Sequence, residues 1–501
     1  LTDEEYKEYV PVPFLTEGID QTRGWAYTLL MEGVILSGRA PYKSFLFTGH
    51  VLDKHGEKMS KSKGNVIEAL DIFTKHPVDL IRYYLVWKAS PIDPINFDPD
   101  EMIGRPFQVL NTLVNLHLFY KQNSEYDGFK WREDLKPDNL KIQDKWLLSL
   151  LSRTVEKVRK AYEARRFNEM AKTLEYFIIE ILSQKYIPLI RGELWEDSPE
   201  SLPRRFSIYW TLGKALLTVD ALLHPISPYV TDYLYNASFA SSPSSLVLME
   251  YPKPEERYKE IEEEFEAFWK LVSLANSARM KAKIKRRWPL SKAIVYSPIK
   301  LRDELKELLK EVINVNEVEF KEEKRELPIE LKITPNVSYI GREFKARTPE
   351  VLQAISREDP WKLEGMWLGK SKIKIGEYRL DREAINVEYV PKEGFSVSAE
   401  LGYIVCLYVV RNEELIAEGL LRDVARRLQH LRKERGYNPT EILPKAYVAG
   451  FKGNALRWLK DRSSKLKFLV RVREVEILEE PIESVDWKEF DIDGYKAYLS
   501  I

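Results

Sequence analysis

Cysteine and histidine are scarce in this sequence. Its one cysteine, Cys406, lies in the apolar run YIVCLYVV, where a buried structural thiol is expected. A single thiol excludes a disulfide within the chain, and six scattered histidines do not supply the ligand sets of structural zinc sites. We therefore expect no protein-bound zinc and no metal site built by this chain.

Net charge and long apolar runs are also lacking. The 78 lysines and arginines balance 78 aspartates and glutamates, so no overall field draws nucleic acid or a membrane to the protein. Electrostatic binding must then come from local patches. No apolar run approaches the roughly 18 residues of a membrane span, and no signal peptide opens the sequence. We expect a cytoplasmic protein without a membrane partner.

Length and hydrophobic residues, in contrast, are plentiful. The chain has 501 residues, 44% of them hydrophobic, which is too long for one core and predicts three or four domains. It begins at Leu1 and runs through LTDEEYKEYVPVPFLTEG into an apparent core strand, which predicts the interior of a longer protein. The pattern indicates neither an internal repeat nor a low-complexity tract.

The first hundred residues alternate between strand and helix patterns. VPVPFLTEG (10–18) and SFLFTGHVLD (44–53) are typical of strands, and a helix is expected from Asp20 to about Leu36. Two more helices are expected at about 66–75 and 76–89. This alternation predicts half of an α/β domain with a parallel sheet.

After Gly104 the hydrophobic period becomes helical, and four amphipathic stretches predict a helical bundle. In the first stretch, the residues expected on the buried face are Phe107, Leu110, Val114 and Leu118. Beyond the bundle we expect a small βαβ unit, a sheet at about 372–410 and a basic helix at about 412–435. The predicted domains are 1–98, 99–250, 251–340 and 341–501.

The stretch KHGEKMSKSKGN (54–65) gathers four lysines around two serines. Lysine ammonium groups can follow a phosphate whose geometry changes during reaction, and hydroxyls and backbone amides donate hydrogen bonds to its oxygens. Lys58, Ser60 and Lys61 are therefore candidates to stabilise charge on an α-phosphate and a departing pyrophosphate. The alternative is an ordinary solvated loop, which charge runs usually are.

A second polar stretch, TEGIDQTRGW (16–25), begins at the end of the first predicted strand. Glu17 ends that strand, and Gly18 permits close backbone approach. Asp20 and Gln21 lie at the expected helix start, where a polar ring could hold a ribose and an α-amino group. Trp25 offers a flat apolar wall, with ordinary core packing as the alternative.

EGIDQTRGW, followed about thirty residues later by KMSKS and then by a helical bundle, resembles class I aminoacyl-tRNA synthetases, specifically the isoleucyl-tRNA synthetase family. KMSKS marks the whole class, and the isoleucyl assignment rests on Asp20-Gln21 followed by Arg23-Gly24-Trp25. Further stretches of this resemblance are DKWLLS (144–149), RFNEMAKTLEYF (166–177), HPISPY (224–229), RRWPL (286–290) and EGLLRDVARRLQHLRKERG (418–436). The last two resemble the archaeal and eukaryotic branch.

The resemblance implies a fold class of α/β plus all-α: the second half of a Rossmann-type class I catalytic domain, a helical anticodon-binding bundle and C-terminal α+β domains. It implies a monomeric isoleucine–tRNA ligase that uses isoleucine, ATP with Mg²⁺, and tRNA(Ile). The positions that match the family's substrate- and adenylate-binding residues are Glu17, Gly18, Asp20, Gln21 and Trp25. Those that match its ATP-handling residues are Lys58, Ser60 and Lys61, with Lys61 contacting the phosphates in a mobile loop.

The sequence also departs from the family pattern. It has no His-x-Gly-His element, because His50 in TGHV lacks a histidine three residues earlier, and it has no editing insertion. We therefore expect that the N-terminal half of the enzyme is a missing partner and that this chain alone cannot make the adenylate. A non-catalytic tRNA-binding or scaffold protein derived from a synthetase stays an alternative, as does a valyl-tRNA synthetase relative.

Two basic segments are candidates for RNA contact, because local cations can bind phosphates even on a neutral protein. The candidate tRNA-binding residues are Lys285, Arg286, Arg287, Arg422, Arg426 and Lys433. The last three share one polar stripe of the basic helix with Gln429. A solvated helix face is the alternative, and family position favours residues from about 104 to 340 for the anticodon.

Overall fold

The computed structural model describes residues 2–196, 198–239, 244–369, 372–438 and 441–501. The chain divides into two compact units, Leu1–Glu262 and Glu263–Ile501. The first unit contains an α/β part and a helical bundle, and the second contains two four-stranded sheets with helices.

The α/β part is built from short parallel strands joined by helices. Its elements are α1 (Asp3–Tyr9), β1 (Leu15–Gly18), α2 (Trp25–Ser37), β2 (Phe45–Thr48), β3 (Val51–Leu52), α3 (Ala69–Lys75), α4 (Val78–Lys88), β4 (Ile95–Asn96) and α5 (Pro99–Met102). Strand β1 pairs with β2 and β3 pairs with β4, both in parallel. These parallel pairs confirm the predicted strand direction.

Two elements of this part differ from the sequence prediction. The first strand begins at Leu15, since Pro11 and Pro13 have no backbone N–H to donate to a ladder. The helix expected from Asp20 begins only at Trp25, because Ile19–Arg23 forms a 3₁₀ turn that ends at Gly24. Gly24 has φ −116° and ψ −120°, outside the helical region, and this residue breaks the run in two.

Helix α2 is apolar yet largely exposed. Only Ala26 and Gly33 of its thirteen residues are buried. A Cβ on Gly33 would lie 2.5 Å from the ring of Pro41, so the absence of a side chain lets the helix approach the next segment. Ile35 and Leu36 are 76% and 77% exposed. The described residues of the first unit therefore leave an apolar helix face uncovered.

The bundle follows directly. Its elements are α6 (Arg105–Tyr126), α7 (Ile142–Glu163), α8 (Phe167–Tyr176), a π-helical segment (Phe177–Tyr186), α9 (Ile187–Trp195), α10 (Leu202–Leu223) and α11 (Pro228–Ser238). In α6 the predicted face is partly wrong, since Phe107 and Leu118 are exposed. The buried face instead centres on Leu113 and Leu116. It is therefore rotated about the helix axis by about one residue from the predicted face.

One bundle segment, Pro199–Leu223, is long and apolar enough to cross a membrane by length and composition. The sequence pattern had indicated no such run. However, 89% of its most apolar window is buried within the protein. This burial is what the central helix of a packed bundle shows.

The second unit contains most of the strands. Its elements, with the helix that leads into it, are α12 (Lys259–Lys281), β5 (Leu290–Tyr296), α13 (Asp303–Val312), β6 (Val315–Phe320), β7 (Ile329–Pro335), α14 (Val337–Phe344), α15 (Thr348–Arg357), α16 (Pro360–Leu368), β8 (Ile373–Ile375), β9 (Tyr378–Leu380), β10 (Ile385–Pro391), β11 (Phe395–Glu400), β12 (Tyr403–Tyr408), α17 (Glu413–Glu434), β13 (Leu443–Ala449), α18 (Gly453–Asp461), α19 (Ser463–Val470), β14 (Val472–Ile477), β15 (Lys488–Ile492) and β16 (Tyr495–Ser500). The βαβ unit, the later strands and the basic helix are as the sequence predicts.

The two larger sheets have the strand orders β11-β12-β5-β6 and β14-β13-β16-β15. Between β6 and β11, the chain forms a β7–β10 antiparallel ribbon that carries α14, α15 and α16. Helix α14 runs across the domain boundary predicted at residue 340. Buried Cys406 lies in β12, where burial raises the pKa of its thiol to about 12.

Candidate functional site

The first group of predicted site residues lies at the carboxyl end of β1. Glu17 and Gly18 are the last two residues of the strand and pair with Phe47 and Thr48 of β2. A Cβ on Gly18 would lie 2.7 Å from Asp20 Oδ1, so the aspartate folds back over the glycine. The carboxyl ends of parallel strands are where α/β folds bind ligands, and these residues lie there.

The 3₁₀ turn after β1 joins the remaining members of this group. Gln21 Nε2 donates to Asp20 Oδ2 at 3.0 Å, and Gln21 Oε1 accepts from the backbone N–H of Trp25 at 3.2 Å. A Cβ on Gly24 would lie 2.7 Å from the same Oε1 atom. The spacing Asp-Gln-x-x-Gly-Trp therefore brings these groups together in one hydrogen-bonded turn. Trp25 is 44% exposed and contacts Phe45 edge to face.

The KMSKS loop follows β3 and is held by two side chains that sequence reasoning missed. Asp53 Oδ1 accepts from the backbone N–H groups of His55 and Glu57 at 2.9 and 2.8 Å. Its Oδ2 accepts from Asn65 Nδ2 at 2.8 Å, and Asn65 Oδ1 accepts from the backbone N–H of Ser60 at 2.9 Å. Asp53 and Asn65 thus close the loop at both ends. In the sequence, these two residues could have been found from their positions, one at the end of a strand and the other directly after Gly64.

The lysines of this loop differ in their surroundings. Lys63 forms an ion pair with Glu57 at 3.0 Å. Lys58 and Lys61 are exposed, and among the described residues neither has a carboxylate within ion-pair distance. Lys61 opens a short 3₁₀ turn that ends at Gly64, whose φ of 67° suits glycine. Within KMSKS itself, the loop therefore presents two ammonium groups, those of Lys58 and Lys61, without a described carboxylate partner on a braced backbone.

Asn65→Ala is expected to raise the pKa of Asp53. The Asn65 hydrogen bond, followed by the backbone N–H of Glu57, holds the pKa of this carboxyl below its usual value. Because the pKa is lowered in the fold, this stabilisation is present above the unfolded-state pKa and is lost as pH falls through the lowered pKa. Carboxyl ¹³C NMR titration would measure the change.

Asp134 provides the internal control for this titration. Its pKa is lowered by a hydrogen bond from Arg132, and Asn65 is not among the groups that shift it. The Asp134 titration should be the same in the variant and the parent chain. An unchanged Asp53 titration in Asn65→Ala would contradict the assigned hydrogen bond.

The predicted RNA-contact residues lie in the second unit and form three groups that differ in exposure and in partners. Arg286, Arg426 and Lys433 are exposed. Arg422 donates to Glu418 at 2.8 Å and to Asn314 Oδ1 at 2.7 Å. Gln429, placed on the same stripe, donates to the carbonyl of Leu469 at 2.6 Å.

Lys285 and Arg287 form the third group, since both lie within ion-pair distance of a buried carboxylate on α17. Arg287 forms an ion pair with Asp423, and Lys285 Nζ lies 3.8 Å from Asp423 Oδ2. The Asp423 side chain is 5% exposed. The structure therefore brings the two basic segments, separated by more than a hundred residues, to one place. Sequence reasoning missed Asp423, which sits on the buried side of an amphipathic helix.

Comparison with known proteins identifies the family. Residues 1–98 match tRNA synthetases class I (I, L, M and V), and residues 144–294 match the anticodon-binding domain of tRNA ligase. Isoleucine–tRNA ligase of Clostridium tetani is 31% identical over 500 residues, 97% of this chain. That of Methanopyrus kandleri is 34% identical over 448 residues, 85% of this chain. The chain belongs to the isoleucyl-tRNA synthetase family.

This synthetase-family chain spans less than half the length of those relatives, 47% and 40% respectively. Among solved structures, methionyl-tRNA synthetase of Mycobacterium tuberculosis, in complex with methionyl-adenylate, is similar at 19% identity. The similarity covers 49% of each chain with a TM-score of 0.41. The class I synthetase match covers the α/β part, and the anticodon-binding match begins in the bundle at residue 144 and extends beyond it to residue 294.

Metal-binding residues are not clustered in the parts of the chain that the structure describes. There, no group of three or more histidine, cysteine, aspartate or glutamate side chains is placed to hold a metal ion.

Proposed function

We propose that this chain supplies the KMSKS half of the active site of an isoleucine–tRNA ligase, together with its tRNA-binding parts. In the reaction, a carboxylate oxygen of isoleucine attacks the α-phosphorus of ATP, and the bond to the bridging oxygen breaks to release pyrophosphate. A ribose hydroxyl of the terminal adenosine of tRNA(Ile) then attacks the acyl carbon of the adenylate, so that an ester forms and AMP is released. A monomeric state and a cytoplasmic location stay predictions.

The braced KMSKS loop is the observation that carries this proposal. Asp53 and Asn65 fix the backbone while Lys58 and Lys61 keep ammonium groups without carboxylate partners in the described structure. Cations held in this way stabilise charge that develops on phosphate oxygens, because little reorganisation is needed when the charge appears. A tRNA-binding scaffold with no catalytic role has no physical need for this arrangement.

Residues 17–25 supply the second part of the site. We assign Glu17, Gly18 and the Asp20–Gln21 pair to the ribose and amino-acid end of the adenylate, since they offer carboxylate and amide groups at a strand end. Trp25 is exposed enough to line a pocket for the isoleucine side chain. A pocket of this kind separates isoleucine from valine by one methylene only, a limit for which isoleucyl-tRNA synthetases are themselves the standard example.

The purified 501-residue chain alone is expected to show no ATP–pyrophosphate exchange. The uncovered apolar face of α2 and the two-stranded sheet fragments support the proposal that half of the nucleotide pocket comes from another segment. Fusion to the first half of the catalytic domain of the Methanopyrus kandleri enzyme should restore isoleucine-dependent exchange.

Valine provides the specificity control for the fused enzyme, because a valyl relative would prefer it. Exchange that depends on valine more than on isoleucine would contradict the amino-acid assignment. Exchange by the unfused chain would contradict the requirement for a second segment.

A further inference from the structure

The second unit contains the same fold twice. The first copy consists of α12, β5, α13, β6, β11 and β12, and the second consists of α17, β13, α18 with α19, β14, β15 and β16. In each, the first two strands are parallel, and a hairpin adds its second strand antiparallel to the first strand. When one of the two strand orders is reversed, equivalent strands occupy the same positions in both sheets. The β7–β10 ribbon with its three helices is an insertion in the first copy.

The strand registers of the two copies correspond residue by residue. Leu290, Lys292 and Ala293 pair with Val315, Glu317 and Val318 in the first copy. Leu443, Lys445 and Ala446 pair with Val472, Glu474 and Val475 in the second. All six of these positions hold the same residue in both copies.

The ion pairs across these strands are repeated as well. Lys292 Nζ lies 3.6 and 2.7 Å from Glu317 and Glu319. In the second copy, Lys445 Nζ lies 3.4 and 2.7 Å from Glu474 and Glu476. Surface ion pairs contribute little stability, so their repetition points to a shared origin of the two copies.

A buried arginine occupies the same place in each copy. Arg279 and Arg432 are 1% and 4% exposed, and every hydrogen bond described for their guanidinium groups goes to a backbone carbonyl. Arg279 binds the carbonyls of Ile313 and Asn314, and Arg432 binds the equivalent pair of the second copy. Burial lowers the pKa of Arg279 to about 10. Each arginine ties the loop after the long helix to the end of the next helix.

The copies differ in the loop that this arginine holds. In the first copy the loop is basic, KIKRRW, and Arg279 binds the carbonyl of its last residue, Trp288, at 2.7 Å. In the second copy the corresponding stretch begins GYN and has lost these cations. The second copy instead carries arginines on α17. The two copies have therefore diverged in charge while keeping one backbone.

The basic loop of the first copy (283–288) meets α17 of the second copy at Asp423. We call this meeting place the seam. Asp423 Oδ2 accepts from Trp288 Nε1 at 3.0 Å, and the same carboxylate pairs with Arg287. A Cβ on Gly419, one turn earlier, would lie 2.3 Å from the Trp288 ring, so the glycine permits this approach. Arg411 lies over the ring at 4.7 Å. The tryptophan and the aspartate thus fix where the loop cations lie.

The seam holds more positive charge than Asp423 can balance. Burial lowers the pKa of Arg287, and the charges of Arg426 and Arg427 lower it further against the opposing effect of Asp423. Guanidinium groups match phosphate oxygens in a fixed fork and are more weakly hydrated than ammonium groups. In a chain of zero net charge, such a local cluster is suited to a polyanion.

We propose that the second unit is an internal duplication whose seam binds the phosphate backbone of tRNA, with Asp423 as the positioning residue for Arg287 and Lys285. This proposal rests on the proposed function as a tRNA ligase. Arg426 is exposed on α17 and contacts phosphate directly.

Asp423→Asn in the full chain is expected to weaken binding of a tRNA(Ile) transcript by roughly tenfold, through loss of charge-assisted hydrogen bonds that hold the loop. The direction is informative, since the variant is more positive by one charge. A patch that acted through net charge alone would bind more tightly. Filter binding across a KCl series measures both affinity and salt dependence. Equal or tighter binding by Asp423→Asn overturns the proposal.

Glu414→Gln is the matched control, because it makes the same charge change on an exposed residue in the first turn of α17. It should bind at least as tightly as the parent chain. Arg426→Gln guards against misfolding of the first variant, since this exposed side chain can be changed without opening the core. It should reduce the salt slope by about one unit, and an unchanged slope overturns the proposal.

The test separates this proposal from the proposed ligase function. ATP–pyrophosphate exchange by the fused enzyme requires no RNA, so the adenylate site can be active whatever the seam does. Absence of tRNA binding by the unchanged chain overturns the seam proposal and the assignment of tRNA-binding parts to this chain, whereas the adenylate assignment is judged by exchange.

Discussion

Lys61→Ala is expected to lower ATP–pyrophosphate exchange of the fused enzyme by roughly two to three orders of magnitude, the usual effect of removing one preorganised charge-stabilising group. Lys61 begins the short turn at the exposed tip of the loop and has no carboxylate partner among the described residues. Its ammonium group can therefore reach the phosphates. Because the charge develops in the transition state, the loss should appear in kcat more than in the KM for ATP.

Lys63→Ala is the matched control for this experiment. Lys63 lies two residues away in the same turn, but its ammonium group is paired with Glu57. An exposed ion pair contributes little, so exchange should change by less than about threefold. Equal losses in the two variants would indicate general electrostatic attraction of ATP. Unchanged exchange in Lys61→Ala would contradict the assignment of the loop to pyrophosphate.

Arg204→Ala is expected to destabilise the bundle by about 3–5 kcal/mol, the cost of leaving a buried charge without its partner. Arg204 forms an ion pair with Asp144, which is completely buried, and binds Glu193 at 2.8 and 3.0 Å. Tyr186 also donates to Asp144 at 2.8 Å. Without the guanidinium group, Asp144 would keep only neutral donors.

Urea unfolding followed by circular dichroism measures this effect. Arg132→Ala is the control, because it removes an arginine from an ion pair with Asp134 in which both side chains are more than 60% exposed. The control should leave the unfolding midpoint nearly unchanged. Similar midpoints for the two variants would show that the bundle does not depend on the buried network.

The sequence predicted the candidate adenylate residues and their order, but not how they are held. KMSKS and EGIDQTRGW are local patterns, and the structure places both beside the ends of parallel strands. The hydrogen bond between Asp53 and Asn65 joins residues twelve positions apart across a loop. No periodicity marks such a pair, so it could be found only once the loop had a shape.

In the bundle, too, the sequence predicted the elements but not how they pack. The 3.6-residue period predicted its helices, because amphipathic sequence and helical structure share that period. The buried face of α6 was misplaced, with Phe107 and Leu118 exposed. An apolar residue can lie at the edge of a helix stripe, and only the neighbouring helices decide which side of the stripe is covered.

The sequence by itself determined the family, the parallel strands, the bundle and the lysines of the loop, because these follow from local patterns of residues. The tertiary structure decided which elements are repeated and which residues come into contact. The equivalent residues of the two copies lie 153 positions apart at Arg279 and Arg432 but 157 apart at Val315 and Val472, and an insertion interrupts the first copy. A repeat with a changing spacing has no fixed period to detect. Strand pairing reveals it, because packing preserves position in space when position along the chain has shifted.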